Sequence, residues 1–270
     1  MKVEGDKIIM GQLRRYIKGF MRYKNLLHEL VSRDIKVRYR RSVLGVLWTV
    51  LNPILMMIVM TIVFSQLFRF EIENFPIYFF CGNIIFSFMV TATNDALQSI
   101  LGGASLLKKV YIPKYIFPVS KVLSAGVNLF FSYIAMLLVM VATGVEFHAT
   151  MLLTPVVALY IMLFSIGLGL ILATMMVFFR DIAHLYGVLT TAWMYLTPIF
   201  YPESLLGDKS EWFLLLNPMY HYIDYMRNIT LYQTVPGIAE NLTCLGISLV
   251  TLVLGLLFFY KKQDKFILYI

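Results

Sequence analysis

Apolar residues in this chain run in long, nearly uninterrupted blocks, not at the three-to-four-residue spacing of a helix that buries one face against a soluble core. Six blocks stand out, at about 43–68, 75–101, 122–145, 151–179, 182–200 and 241–260. A helix of about 20 apolar residues crosses the roughly 30 Å hydrocarbon core of a bilayer. The pattern therefore predicts an all-α integral membrane protein with six transmembrane helices. The first block, Val43 to Phe68, holds 26 uncharged residues. At the helical rise these reach about 39 Å, so the helix should tilt. Asn52-Pro53 inside it predicts a kink, because proline lacks the amide donor and crowds the preceding turn. Asp95 is an ionisable residue near the end of the second block. It is read either as a relay or substrate contact, or as an interfacial group meeting headgroups or a basic neighbour. Gly167-Leu168-Gly169 in the fourth block offers a close helix contact.

The segments between the blocks have patterns of their own. In residues 1–42, Leu27, Leu30, Val31 and Ile35 recur at helical spacing, with Arg33, Lys36 and Arg40 on the other face. This predicts a basic amphipathic helix lying in the membrane interface. Residues 102–114 open on Gly102-Gly103 and close on Pro113, leaving room for a short helix across the exit of two spans. Region 203–240 is too polar to span and too apolar for an ordinary loop. It predicts short re-entrant helices between the fifth and sixth spans, since irregular backbone at membrane depth needs protein or a wet cavity beside it.

Charge orients these elements. The chain of 270 residues is 60% hydrophobic and only 14% charged, with a net charge of +8. Segment 1–42 carries twelve Lys and Arg, 102–121 four, the turn at Arg180 one and the tail after Tyr260 three, against three on the alternate side. The excess places the N- and C-termini in the cytoplasm by the positive-inside rule. The same clustering explains the net charge as topology, with no nucleic acid as partner. Cys81 and Cys244 are far apart in apolar blocks and read as packing residues; no metal-ligand spacing accompanies them.

The chemistry missing from the chain is informative as well. It contains no phosphate loop of the GxxxxGK[ST] kind and no HExxH, and its spans lack the rows of acids and bases of a proton-driven pump. The chain is therefore not read as an enzyme, and no cofactor is expected in it. The driving force must come from a separate protein, with segment 102–114 as the surface that such a protein would push.

Five strings, in order, carry a resemblance. Leu30 to Trp48 (LVSRDIKVRYRRSVLGVLW) with Leu51-Asn52-Pro53, then Leu107 to Pro113 (LKKVYIP), Phe179-Arg180-Asp181-Ile182, Pro198 to Pro202 (PIFYP) and Leu216-Asn217-Pro218-Met219 are similar to the ABC-2 type transporter permeases. The branch they resemble exports polysaccharides: O-antigen, capsule and teichoic acid. The resemblance implies a single transmembrane domain over 43–270 preceded by a cytoplasmic 1–42. It implies a homodimer working with two ATP-binding-cassette subunits, which would bind the ATP and Mg. It further implies a gate helix at about Leu26 to Arg41, a coupling helix at about Ser105 to Ile112, and re-entrant helices at about Ser204 to Thr230 capping the outer mouth. The function implied is export of a lipid-linked polysaccharide across a bacterial inner or plasma membrane; the alternative is export of a small amphipathic drug or lipid.

On that reading, Leu107, Lys108, Lys109, Val110 and Tyr111 couple to the ATPase. Arg33, Asp34, Lys36 and Arg38 form the charged part of the gate helix, where arginine could meet the pyrophosphate of a lipid carrier or ordinary anionic headgroups. A polar glycan would lose hydration in hydrocarbon, at several kcal/mol for each unsatisfied group, so it needs a channel between two subunits. Trp48, Phe64 and Phe68 on the first span and Trp193, Tyr195 and Tyr201 on the fifth are the candidate rings for stacking on sugars. The same rings would also serve as interfacial anchors.

Overall fold

The computed structural model describes residues 23–39, 44–45, 47–67, 72, 74–110, 112–206 and 211–270. Ten α-helices are found among them. They are α1 Lys24–Tyr39, α2 Leu47–Thr61, α3 Phe75–Gly102, α4 Ala104–Leu107, α5 Ile116–Thr143, α6 Thr154–Phe178, α7 Ile182–Leu196, α8 Glu211–Leu216, α9 Pro218–Thr230 and α10 Ile238–Lys262. No strand occurs among the described residues. Of the sequence-predicted site residues, Tyr111 and Phe68 lie outside the described set.

Five helical stretches are long and apolar enough to cross a bilayer: Leu47–Phe64, Phe75–Gly102, Ile116–Thr143, Ala149–Phe178 and Ile238–Leu268. The chain is thus an all-helical, multi-pass membrane protein. The predicted fifth span is shorter than its apolar block. Helix α7 has 15 residues and ends at Leu196, giving about 22 Å of rise. Pro198 is the cause: the residue before a proline is pushed out of the α region, and Thr197 is extended at φ −100° and ψ 131°. The chain then runs non-helically through Ile199 and Phe200, both buried.

Other boundaries move for local reasons. Helix α5 begins at Ile116, well before the predicted 122, because Pro118 sits in its first turn, where no amide partner is lost. It ends at Gly144, whose φ of 72° suits a residue without a Cβ. Helix α2 continues past Pro53, which lies inside it, and widens into a π-turn at Ile62–Leu67. The segment predicted as a coupling helix over 105–112 is a single turn, α4, followed by turns.

Helix α3 is the central pillar. Ile77, Phe79, Phe80, Cys81, Met89, Ala92, Ala96 and Ile100 on it are fully buried against α5, α6 and α9. Helices α6 and α10 meet backbone to backbone. A Cβ at Gly167 would collide with Thr251 backbone, and one at Gly255 with the Gly167 carbonyl. Both glycines of the fourth block thus allow a close helix contact, Gly167 against α10 and Gly169 against Ala96 of α3.

The bundle has two distinct ends. One gathers Leu27 and Leu30 of α1, Ile112, Ile116 and Phe117, Val177 of α6, and Phe259 and Phe266 near the C-terminus. The other gathers Phe75, Phe79, Ile199, Phe200 and the apolar face of α9. The basic segments 24–39, 102–121, Arg180 and 261–265 all belong to the first, which is called the basic end below.

Candidate transport surfaces

At the basic end, α1 packs Leu27 and Leu30 inward, leaves Val31 and Ile35 half-buried and keeps Arg33, Lys36 and Arg38 exposed; Arg40 of the predicted polar face lies outside the described residues. Two ion pairs hold it. Arg38 Nη2 donates to Asp95 Oδ2 at 2.7 Å, tying α1 to the pillar α3. Lys121 Nζ lies 2.8 Å from Asp34 Oδ2, tying α1 to α5. Asp95 therefore has a basic neighbour, the second of its two sequence readings. Arg33, 3.5 Å from Asp34, leaves most of its side chain in the open. Glu29, Ser32, Arg33, Lys36 and Val37 line a shallow depression there.

The α4 segment joins the same basic-end core as α1. A Cβ on Gly103 would overlap the Phe117 ring, so the tight return from α3 into α4 requires glycine. Leu106 and Leu107 pack onto the basic-end core, whereas Lys108, Lys109 and Val110 are exposed. The C-terminal tail supports this region from beneath. Phe266 is fully buried, and Lys114 Nζ donates to the Gln263 carbonyl at 2.6 Å while lying over the Phe266 ring.

The aromatic candidates fall into two groups. Trp48 on α2 and Tyr195 on α7 are exposed. Phe64 is stacked between Phe200 and Phe75, with ring centroids 5.6 and 6.2 Å away. Trp193 Nε1 donates to Asn217 Oδ1 at 2.7 Å, and its ring meets Phe86 edge-on. Tyr201 donates from its hydroxyl to the Tyr195 carbonyl at 2.8 Å. Helix α7 is accordingly two-faced. Tyr186, Thr190 and Trp193 face the pillar, where the Tyr186 and Thr93 hydroxyls lie 2.6 Å apart. His184, Gly187, Val188, Thr191 and Tyr195 line an open groove on its other side.

At the far end, Asn217 is the hub. Its carbonyl oxygen accepts from Trp193 and from the Met219 amide at 3.1 Å, capping α9, and its amide donates to Thr197 Oγ1 at 2.9 Å. One buried side chain thus joins the break after α7 to the start of α9. Sequence reasoning quotes Asn217 only as part of a motif. Its role depends on contacts about 20 residues apart along the chain, which no local pattern reports. Arg227, counted above only as a charge, is 1% exposed on α9. Asp224 on the same helix has its carboxyl pushed above the usual range, chiefly by burial and then by Glu203, against the pull of Arg227.

The sequence profile of the ABC-2 type transporter family matches residues 25–231. The O-antigen export system permease protein RfbA of Myxococcus xanthus is 33% identical over 254 residues, covering 93% of this chain and 98% of the relative. The capsule polysaccharide export inner-membrane protein CtrC of Neisseria meningitidis serogroup B is 27% identical over 209 residues, 76% and 78% of the two chains. The polysialic acid transport protein KpsM of Escherichia coli is 22% identical over 250 residues, 91% and 96% of the two. The match takes in the ion-paired helix α1, the exposed turn after α3, and the break that joins α7 to α9. With that span of the chain covered in order, this protein belongs to the ABC-2 type transporter family.

Proposed function

We propose that this chain is the membrane-spanning subunit of an ATP-driven exporter that moves a lipid-linked polysaccharide out of the cytoplasm. The observation that carries this reading is the similarity, over 76% to 93% of this chain, to export permeases whose printed cargo is O-antigen, capsule polysaccharide or polysialic acid. The working unit is a homodimer with two ATP-binding subunits that bind the ATP and Mg. Each permease contributes six crossings: the five long helical stretches and, fifth in chain order, α7 completed by the non-helical Thr197–Phe200 stretch. An even count puts both termini on one side, and the basic end faces the cytoplasm by the positive-inside rule. Helices α8 and α9 are the re-entrant cap of the outer mouth.

Leu107 to Tyr111 receive the push of the ATPase. Helix α1 is the gate: Arg33 and Lys36 offer charge to a lipid pyrophosphate, while Asp34 and Arg38 brace the helix through Lys121 and Asp95. Trp48 and Tyr195 present open rings to the cargo, with Phe64, Trp193 and Tyr201 shaping the wall behind them; Phe68 is assigned to the cargo path from the sequence alone. An aromatic face stacks on a sugar without fixing one register, which suits a sliding polymer. The class of glycan includes teichoic-acid-type polymers as well as those carried by the relatives.

The test is loss and reconstitution. A strain lacking this chain is expected to hold lipid-linked glycan inside and to show no surface polymer, with recovery on re-expression. Purified chain with its ATPase in proteoliposomes is expected to move the glycan only with hydrolysable ATP. Normal surface polymer in the deletion strain would overturn the proposal.

A further inference from the structure

The guanidinium of Arg227 is the largest buried charge in the described structure, and its neighbours leave it incompletely satisfied. Its Nη2 donates to the Pro198 carbonyl at 2.6 Å. Its Cζ sits 3.6 Å from the centre of the Tyr78 ring. Nε and Nη1 are buried and have no hydrogen-bond partner. Glu203 Oε1 lies 3.9 Å from Nη1, just beyond bonding range, while Glu203 Oε2 accepts from Tyr220 at 3.0 Å. Tyr78 in turn donates to the Tyr201 carbonyl at 3.0 Å.

Arginine keeps its charge in any protein environment, so burial cannot be relieved by losing a proton. A buried cation with two unpartnered donor nitrogens draws the nearest carboxylate. That carboxylate is Glu203, on the turn that follows the Pro198 break and with its side chain 41% exposed. Three elements meet at this guanidinium: α9 carries it, α3 supplies the Tyr78 face, and the break after α7 supplies Pro198. Closing the gap to Glu203 takes a shift of about 1 Å in the Glu203–Leu206 turn to reach bonding distance.

We propose that Arg227 is a positioning residue that latches the far-end cap: its contact with Glu203 closes the cap over α3, and release of that contact lets the break at Pro198 and helix α9 part. The geometry of the latch stands by itself; its placement at the outer mouth rests on the sidedness proposed above. A native reporter lies beneath it. Cys81 on α3 is fully buried, and at its neighbour Gly82 an added Cβ would come 3.5 Å from Arg227 Nη2 and 3.2 Å from Ile199 Cγ2. Parting the cap therefore bares Cys81.

The experiment uses the full exporter with its ATPase in membranes, carrying Cys244→Ser so that Cys81 is the sole thiol of this chain. Maleimide labelling of Cys81 is followed with a membrane-impermeant reagent added outside and, separately, with a permeant one. Without ATP, the parent is expected to label slowly with both. Arg227→Gln and Glu203→Gln are expected to raise labelling several-fold, and Arg227→Lys, which keeps the charge but not the planar fork, to fall between. Because Glu203 is half exposed, Glu203→Gln leaves the core intact and keeps the test valid if Arg227→Gln fails to fold. Unchanged labelling of Glu203→Gln by both reagents would overturn the latch. Faster labelling by the permeant reagent alone would uphold the latch and overturn its placement on the outer side.

Discussion

Arg38 and Asp95 stand 57 residues apart in sequence and 2.7 Å apart in space, and their pairing changes what each residue does. Arg38 is a brace for α1 in this conformation, and Asp95 is its socket on the pillar. Both side chains are about a third exposed, so the pair stabilises the fold only modestly, on the order of 0.2–1 kcal/mol. Its value lies in where it holds α1. Arg38→Glu is expected to leave folding and dimer formation nearly intact while cutting export severalfold. Adding Asp95→Arg should restore part of the loss, read as surface polymer in the complemented deletion strain. Equal export by the single and double variants would show that the pair does not matter. Arg33 and Lys36 could be singled out from the sequence as basic residues on the open face; the division between them and the braced Arg38 could not. The same holds for Asn217 and Arg227, whose partners Trp193, Thr197 and Pro198 come from another element.

At the scale of elements, hydrophobic run length locates a span but does not set its ends. Proline does, in opposite ways. Pro118 inside the first turn lets α5 start early, and Pro198 stops α7 at 15 residues. Glycine decides how close two helices come. At the α6–α10 crossing the two backbones touch, so Gly255→Leu should force the helices apart. A buried overpacked site of this kind typically costs about 1–3 kcal/mol or more. The expected readout is a lower unfolding temperature in detergent and less assembled exporter. Gly246, on the same helix but with nothing within 4 Å of where a Cβ would stand, should accept alanine without effect. The one-turn α4 is shorter than its segment predicts. A four-residue helix has little stability of its own, so its shape depends on Leu106 and Leu107 packing onto the core.

At the scale of the whole molecule, the bundle has two chemically distinct ends. The basic end binds α1, the α4 segment and the C-terminal tail into one cluster through Phe117 and Phe266. On the coupling role proposed for Lys108 and Lys109, this shared core is what would carry a push on them to α3, α5 and the tail together. Lys108→Glu with Lys109→Glu is expected to weaken binding of the ATPase and abolish its stimulation by assembly. Phe266→Ala should leave the ATPase bound and turning over while export falls, since it removes the support under the coupling segment but none of its exposed surface. ATP turnover and glycan transport measured side by side separate the two outcomes. Export unchanged in Phe266→Ala would remove the tail from the mechanism.

Composition and run length alone point this chain to a bilayer, because several runs of about 20 apolar residues in a chain this short and this poor in charge exceed what its own core could bury. The asymmetry of Lys and Arg and the five collinear motifs carry the proposed orientation and the family. The tertiary structure decides the rest. It selects Arg38 over Arg33 as the brace, turns Trp193 inward onto Asn217, shortens α7, and buries Arg227 beside Tyr78 and Pro198. These outcomes depend on which side chains meet across helices from distant parts of the chain. A hydrophobic pattern reports only each residue's preference for lipid or water, and within a membrane bundle that preference is nearly the same on every face of a helix.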